Sequence, residues 1–165
     1  MLVGSFFKNI NPKYKSHFFS GLSFDSRNVK KNDIFFAIKG TKINGNKFIK
    51  NAINKGAKTI VSNLIPQSLK KKVLYIQNNN PRKLLSEVSS RYYNNKPKNL
   101  IAVTGTNGKS SIVDFYFQIL SLNKKKVASI GTLGIKTYLK NIEIKNTTLD
   151  PISLNDHLQK IKKLN

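Results

Sequence analysis

The sequence predicts an α/β protein built from two units. Strand and helix patterns alternate on both sides of residues 94–99, that segment is polar and carries Pro97, and a glycine-rich loop at 105–110 stands between a strand pattern and a helix pattern. A chain of 165 residues has room for two small units of this kind.

The elements follow in order. Met1 to Phe24 is basic and contains two Phe pairs, but Lys8, Asn9, Asn11 and Lys13 interrupt any apolar leader core, so the segment reads as part of the fold. Ile34 to Ile38 is a continuous apolar run stopped by Gly40, the pattern of a buried strand. Phe48, Ile49, Ala52 and Ile53 are spaced for a helix, and Gly56 is placed to end it in a left-handed cap. Thr59 to Val61 and Val73 to Ile76 read as further strands, and strand, helix, strand implies parallel pairing. Asn80-Pro81 is an N-cap followed by proline at the first helical position, and Leu84, Leu85, Val88 and Tyr92 continue that helix to near Asn94. The expected domains are therefore 1–95 and 96–165. In the second, Leu100 to Thr104 reads as a strand, Ser111 to Leu122 as a helix and Val127 to Ile130 as a strand. Asp150-Pro151 then caps a last helix carrying Ile152, Leu154, Leu158, Ile161 and Leu164.

Composition narrows the function classes. Apolar residues make up 39% and are spread along the chain, as in a folded globule, and no apolar run approaches the roughly 20 residues of a membrane span. Cysteine is absent, which excludes disulfides and thiolate metal sites and fits a cytoplasmic location. The net charge of +23 suggests a polyanion partner. Only Arg27, Arg82 and Arg91 are arginine, however, and the lysines are scattered among asparagines, the pattern of a compositional drift with no specific nucleic acid as partner. His17 and His157 lack metal-ligand spacing, and Asp114 and Asp156 read as solvated helical carboxylates. If Asp25 and Arg27 lie on a strand, their mutual pairing is not implied.

The loop Thr104-Gly105-Thr106-Asn107-Gly108-Lys109-Ser110 is the motif that carries chemistry. Glycines let a backbone approach phosphate oxygens, and loop amides with a helix N-terminus present donors and partial positive charge to them. Lys109 is placed to reach the β- and γ-phosphates of ATP, and the Ser110 hydroxyl to ligate Mg²⁺. The general motif has four residues between its first glycine and Gly-Lys; here there are two. A surface turn in a lysine-rich chain is the competing reading, and strand-to-helix placement favours the phosphate loop.

These residues resemble the Mur ligases, the amide-forming enzymes of peptidoglycan precursor synthesis, whose nucleotide loop is shortened in the same way. Upstream, Asp25-Ser26-Arg27, Asn32 to Gly40, Asn44-Gly45 and Phe48-Ile49 are similar to the family's UDP-binding first domain. Asn146-Thr147-Thr148 with Asp150-Pro151 is similar to the substrate segment of members that add the third peptide residue. The resemblance implies a small N-terminal UDP-substrate domain followed by the beginning of a P-loop ATPase domain. It implies nucleotide binding by Gly105, Thr106, Asn107, Gly108, Lys109 and Ser110, with catalytic roles for Lys109 and Ser110 and the metal on Ser110. Ser26, Asn146, Thr147 and Thr148 would bind a UDP-N-acetylmuramoyl-dipeptide. Its γ-carboxylate, activated by ATP as an acyl phosphate, would be attacked by the amine of a diamino acid. Ser110 stands where threonine is more usual, Leu149 where proline is frequent, and Thr41-Lys42-Ile43 has no close counterpart. The chain stops short of the family's later glutamate, its carbamylated lysine and its C-terminal domain, so the expectation is a fragment, inactive alone, of a ligase that is monomeric at full length. A different P-loop nucleotide hydrolase and a basic nucleic-acid-binding module remain open as alternatives.

Overall fold

In the computed structural model, the described residues are 1–8, 10–40, 43–65, 73–144 and 148–164. The chain divides into two compact units, Met1–Tyr92 and Tyr93–Asn165.

The first unit is built on a four-stranded parallel sheet with strands β1 (Gly21–Ser23), β2 (Asp33–Phe36), β3 (Thr59–Ser62) and β4 (Leu74–Gln77) in that spatial order. The apolar run at 34–38 is fully buried where it forms β2, with Ile34, Phe35 and Phe36 at 0% exposure. Strand alternation sends Phe35 to one face, where it joins Ile60, Ala37, Val29 and Ala57 in a cluster with Ile49 and Ala52 of helix α1 (Ile49–Asn54). Gly56 has φ 105°, a left-handed conformation that ends α1 as the sequence predicts. Helix α2 (Pro81–Tyr92) starts under an Asn80 cap, whose Oδ1 accepts from the Lys83 amide at 3.0 Å, and it packs against β2.

The N-terminal segment is tied to the end of α2. Phe6 stacks edge-on against Phe19 at 5.2 Å, Phe19 lies 5.7 Å from Tyr92, and Arg91 donates to the Phe6 carbonyl at 2.6 Å. Val3 and Phe19 are fully buried, so this basic stretch contributes core. Strand β1 is an addition to the sequence reading. Of its three residues only Leu22 is apolar, too short a pattern to register as a strand.

The second unit contains helix α3 (Lys109–Leu122), an antiparallel meander of β5 (Ala128–Gly131), β6 (Gly134–Thr137) and β7 (Asn141–Ile142), and helix α4 (Pro151–Leu164). Asp150 caps α4 as expected, its Oδ1 accepting from the amides of Ile152 at 2.9 Å and Ser153 at 3.0 Å. One expectation fails here. Leu100–Thr104 forms no strand: the strands described in this unit pair with one another, and an extended segment without a ladder partner leaves its backbone groups to water. Leu100 and Ile101 are accordingly 58% and 69% exposed. The hairpin after β5 is an addition to the sequence reading: Thr132-Leu133 forms the turn between the paired Gly131 and Gly134. The apolar face of α3 lies open, with Phe115 62%, Ile119 58% and Leu122 83% exposed.

Candidate functional site

The glycine-rich loop ends in the first turn of α3, which begins at Lys109, two residues earlier than the sequence suggests. Gly108 is its N-cap with φ 75° and ψ −6°, a left-handed conformation that side chains rarely adopt, and a Cβ there would project into open space. This end differs from the starts of α2 and α4, where Asn80 and Asp150 side chains accept from first-turn amides. A glycine cap has no such oxygen. The first intrahelical bond runs from the Ile112 amide to the Gly108 carbonyl at 3.0 Å, which leaves the amides of Lys109, Ser110 and Ser111 without a helical acceptor. Donors so arranged, at the positive end of a helix dipole, suit an anion.

Lys109 folds back over this loop. Its ammonium donates to the carbonyls of Gly105 at 2.5 Å and Thr106 at 3.1 Å, which places its charge over the glycine-rich loop. Thr106 and Asn107 complete the exposed bend between them.

Ser110 is exposed and its hydroxyl lies 2.8 Å from that of Thr132, in the turn between β5 and β6. One helical turn further along, Asp114 receives Lys136 of β6 at 2.5 Å and Gln118 at 2.6 Å. Asp114 is thus paired and not merely solvated, and the Lys136 hydrogen bond followed by that of Gln118 lowers its pKa from the usual carboxylate value. Asp156, likewise, pairs with Lys160 one turn on at 2.6 Å. The Ser110 hydroxyl, held by Thr132, fits a hard cation that keeps most of its waters and takes its other ligands from phosphate oxygens. Among the described residues no cluster of three or more His, Asp or Glu forms a self-sufficient metal site.

In the first unit, Ser26 follows the carboxyl end of β1 and is 5% exposed. Asp25 and Arg27 pair, contrary to the strand-based expectation, because the segment is a turn. The Asp25 carboxylate accepts from the Arg27 amide at 2.9 Å and from its guanidinium at 2.7 Å, and the Asn28 amide reaches the Asp25 carbonyl at 3.0 Å. Those Arg27 bonds hold the Asp25 pKa below its ordinary value. Arg27 is 83% exposed, so the pair is screened by solvent and adds little to stability. The turn follows the carboxyl end of β1, and open parallel sheets bind ligands outside the carboxyl ends of their strands. Thr148 is described and exposed; Asn146 and Thr147 lie outside the described residues, as do Thr41 and Lys42.

Comparison with known proteins covers both units. The profile described as Mur ligase family, catalytic domain, matches residues 19–93, and that of the Mur ligase middle domain matches 103–165. A UDP-N-acetylmuramoyl-L-alanyl-D-glutamate–2,6-diaminopimelate ligase of Rickettsia prowazekii is 43% identical over 149 residues, 88% of this chain and 31% of that protein. The enzyme of the same name from Zymomonas mobilis is 37% identical over 144 residues, 87% of this chain and 29% of that protein. Among solved structures, a ligase of that name superposes with TM-score 0.81 at 24% identity, covering 99% of this chain and 34% of its own. The MurF ligase of Thermotoga maritima in complex with ADP gives 0.57 at 21% identity, over 81% of this chain and 28% of its own. The chain thus spans about a third of the length of the curated relatives it matches.

Proposed function

Because this chain belongs to the Mur ligase family, we propose that it is the substrate-holding and nucleotide-binding end of an ATP-dependent ligase that adds a diamino acid to UDP-N-acetylmuramoyl-L-alanyl-D-glutamate in the cytoplasm. The observation that carries the reading is the uncapped start of α3, where three first-turn amides and the Lys109 ammonium converge on one exposed loop. Residues 1–95 are the UDP-substrate domain and 96–165 the start of the ATPase domain. ATP supplies the phosphoryl group that activates the substrate carboxylate, and Mg²⁺ offsets the charge of its phosphates.

This chain's residues position and neutralise. Gly105, Thr106, Asn107 and Gly108 border the phosphates, with glycine at Gly108 leaving room for close backbone approach. The Lys109 ammonium exchanges its two carbonyl acceptors for phosphate oxygens, an exchange of neutral for charged partners that favours the bound state. Ser110 offers its hydroxyl to the metal. Ser26, at the carboxyl end of the parallel sheet, holds the uridine diphosphate end, and Asn146, Thr147 and Thr148 hold the peptidyl end. The family resemblance of these residues supports their roles. The partners are the UDP-linked dipeptide and a diamino acid, with no specific nucleic acid and a monomer at full length. No helix among the described residues is long and apolar enough to cross a membrane.

The first-domain half of this reading is tested by titrating the chain with UDP while following backbone amide resonances. Shifts are expected at Ser26, Arg27 and Asn28, because the turn that carries them follows the carboxyl end of β1 and a pyrophosphate held there would perturb its amides. Shifts confined to other residues, or none at millimolar UDP, would remove Ser26 from the site.

A further inference from the structure

We propose that Thr132 is a positioning residue that aims the Ser110 hydroxyl at the divalent metal. The inference deepens the nucleotide-loop reading and rests on it. The two hydroxyl oxygens lie 2.8 Å apart, and in the unloaded chain either can be the donor. A cation beside Ser110 removes that freedom. A hydroxyl that ligates a metal does so through a lone pair, and its proton is repelled from the charge and must point to an acceptor on the opposite side. The Thr132 oxygen is the acceptor at hand, so loading fixes the bond as Ser110 donating to Thr132.

The rest of the turn makes the acceptor a fixed one. Thr132 occupies the connection between β5 and β6, whose register pairs Gly131 with Gly134. The same hairpin is tied to α3 one turn further along by Lys136 donating to Asp114, which Gln118 also holds. Ser110, Asp114 and Gln118 are four residues apart and so lie along one face of the helix. That face is polar and meets the hairpin, whereas Ile112, Phe115 and Ile119 lie exposed on the same helix. The hairpin is thereby held beside the start of α3 by two polar ties, of which only the first reaches the phosphate loop.

The experiment titrates the full chain with ADP, with and without Mg²⁺, and compares the affinity ratio between the two conditions. Thr132→Val keeps the shape of the side chain and removes the acceptor. It is expected to lower the Mg²⁺-dependent gain about two- to tenfold, the range of one hydrogen bond, while metal-free affinity stays within about twofold. Thr132→Ser should restore the gain. Ser110→Ala should abolish it, and adding Thr132→Val to Ser110→Ala should change nothing more, because Thr132 acts only through Ser110. Should the valine variant fail to fold, Thr132→Ser against Thr132→Ala isolates the hydroxyl between two variants that both lack the methyl group.

A loss of equal size with and without metal would make Thr132 a structural turn residue and overturn the proposal. An unchanged gain in Thr132→Val, or no gain in the parent chain, would overturn it equally. Failure of the parent chain to bind ADP under either condition would refute the nucleotide-loop reading itself, and the role of Thr132 would fall with it.

Discussion

Replacement of Lys109 by alanine is expected to lower tripeptide formation about 10²- to 10³-fold in a polypeptide where residues 1–165 are followed by the remaining two thirds of a Mur ligase. The size follows from what the ammonium does. It is the charged side chain folded over the loop, 2.5 Å from the Gly105 carbonyl, and in the proposed role it neutralises the negative charge that builds as a phosphoryl group is transferred. The fold should survive the change. Lys109 is exposed, and the two carbonyls it releases face water, so the lost hydrogen bonds are replaced by solvent. Circular dichroism of the variant should therefore match the parent. Turnover within a factor of about three of the parent would contradict the role given to this loop.

The second large effect concerns the 165-residue chain alone, which is expected to make no amide bond. Ser110 offers one hydroxyl to a metal, and the described residues hold no group of three or more carboxylates and imidazoles that could complete the sphere. Loop and helix start can hold a phosphate, but orientation of an attacking amine requires contacts on the other side of the reacting carbon. The open face of α3 points the same way, for Phe115, Ile119 and Leu122 are too exposed for a finished core. The test mixes the chain with ATP, Mg²⁺, UDP-N-acetylmuramoyl-L-alanyl-D-glutamate and diaminopimelate or lysine, and analyses the products by mass spectrometry. Tripeptide appearing at about 1 s⁻¹ or faster would contradict the expectation, since that is an ordinary enzymatic rate.

What could be read in the sequence depended on whether the signal was local. The buried run Ile34 to Ile38, the left-handed stop at Gly56 and the caps at Asn80 and Asp150 each rest on residues within a few positions of one another, and all appear in the structure. The parallel pairing of β2 and β3 also followed, because the helix between them leaves few other connections. Leu100–Thr104 failed for the opposite reason. Its apolar pattern is that of a strand, but a strand exists only with a partner, and partnership is a property of the whole sheet. Of the site, the loop and its lysine were legible as a motif. Thr132 was not, because its relation to Ser110 spans 22 residues and is created by a hairpin that no periodicity announces. The pairing of Asp25 with Arg27 was missed because a strand was assumed where an Asp-Ser turn intervenes; Asp-Ser as a turn former was the available signal.

The most direct measurement of the central claim, that residues 105–110 cradle nucleotide phosphates, is a calorimetric titration of the chain with ADP and Mg²⁺ beside its Lys109→Ala variant. Saturable binding with a dissociation constant at or below about 1 mM, the upper end of common enzyme substrate constants, is predicted for the parent, with at least a tenfold loss in the variant. Equal affinity in the two proteins, or no binding by the parent, would contradict it.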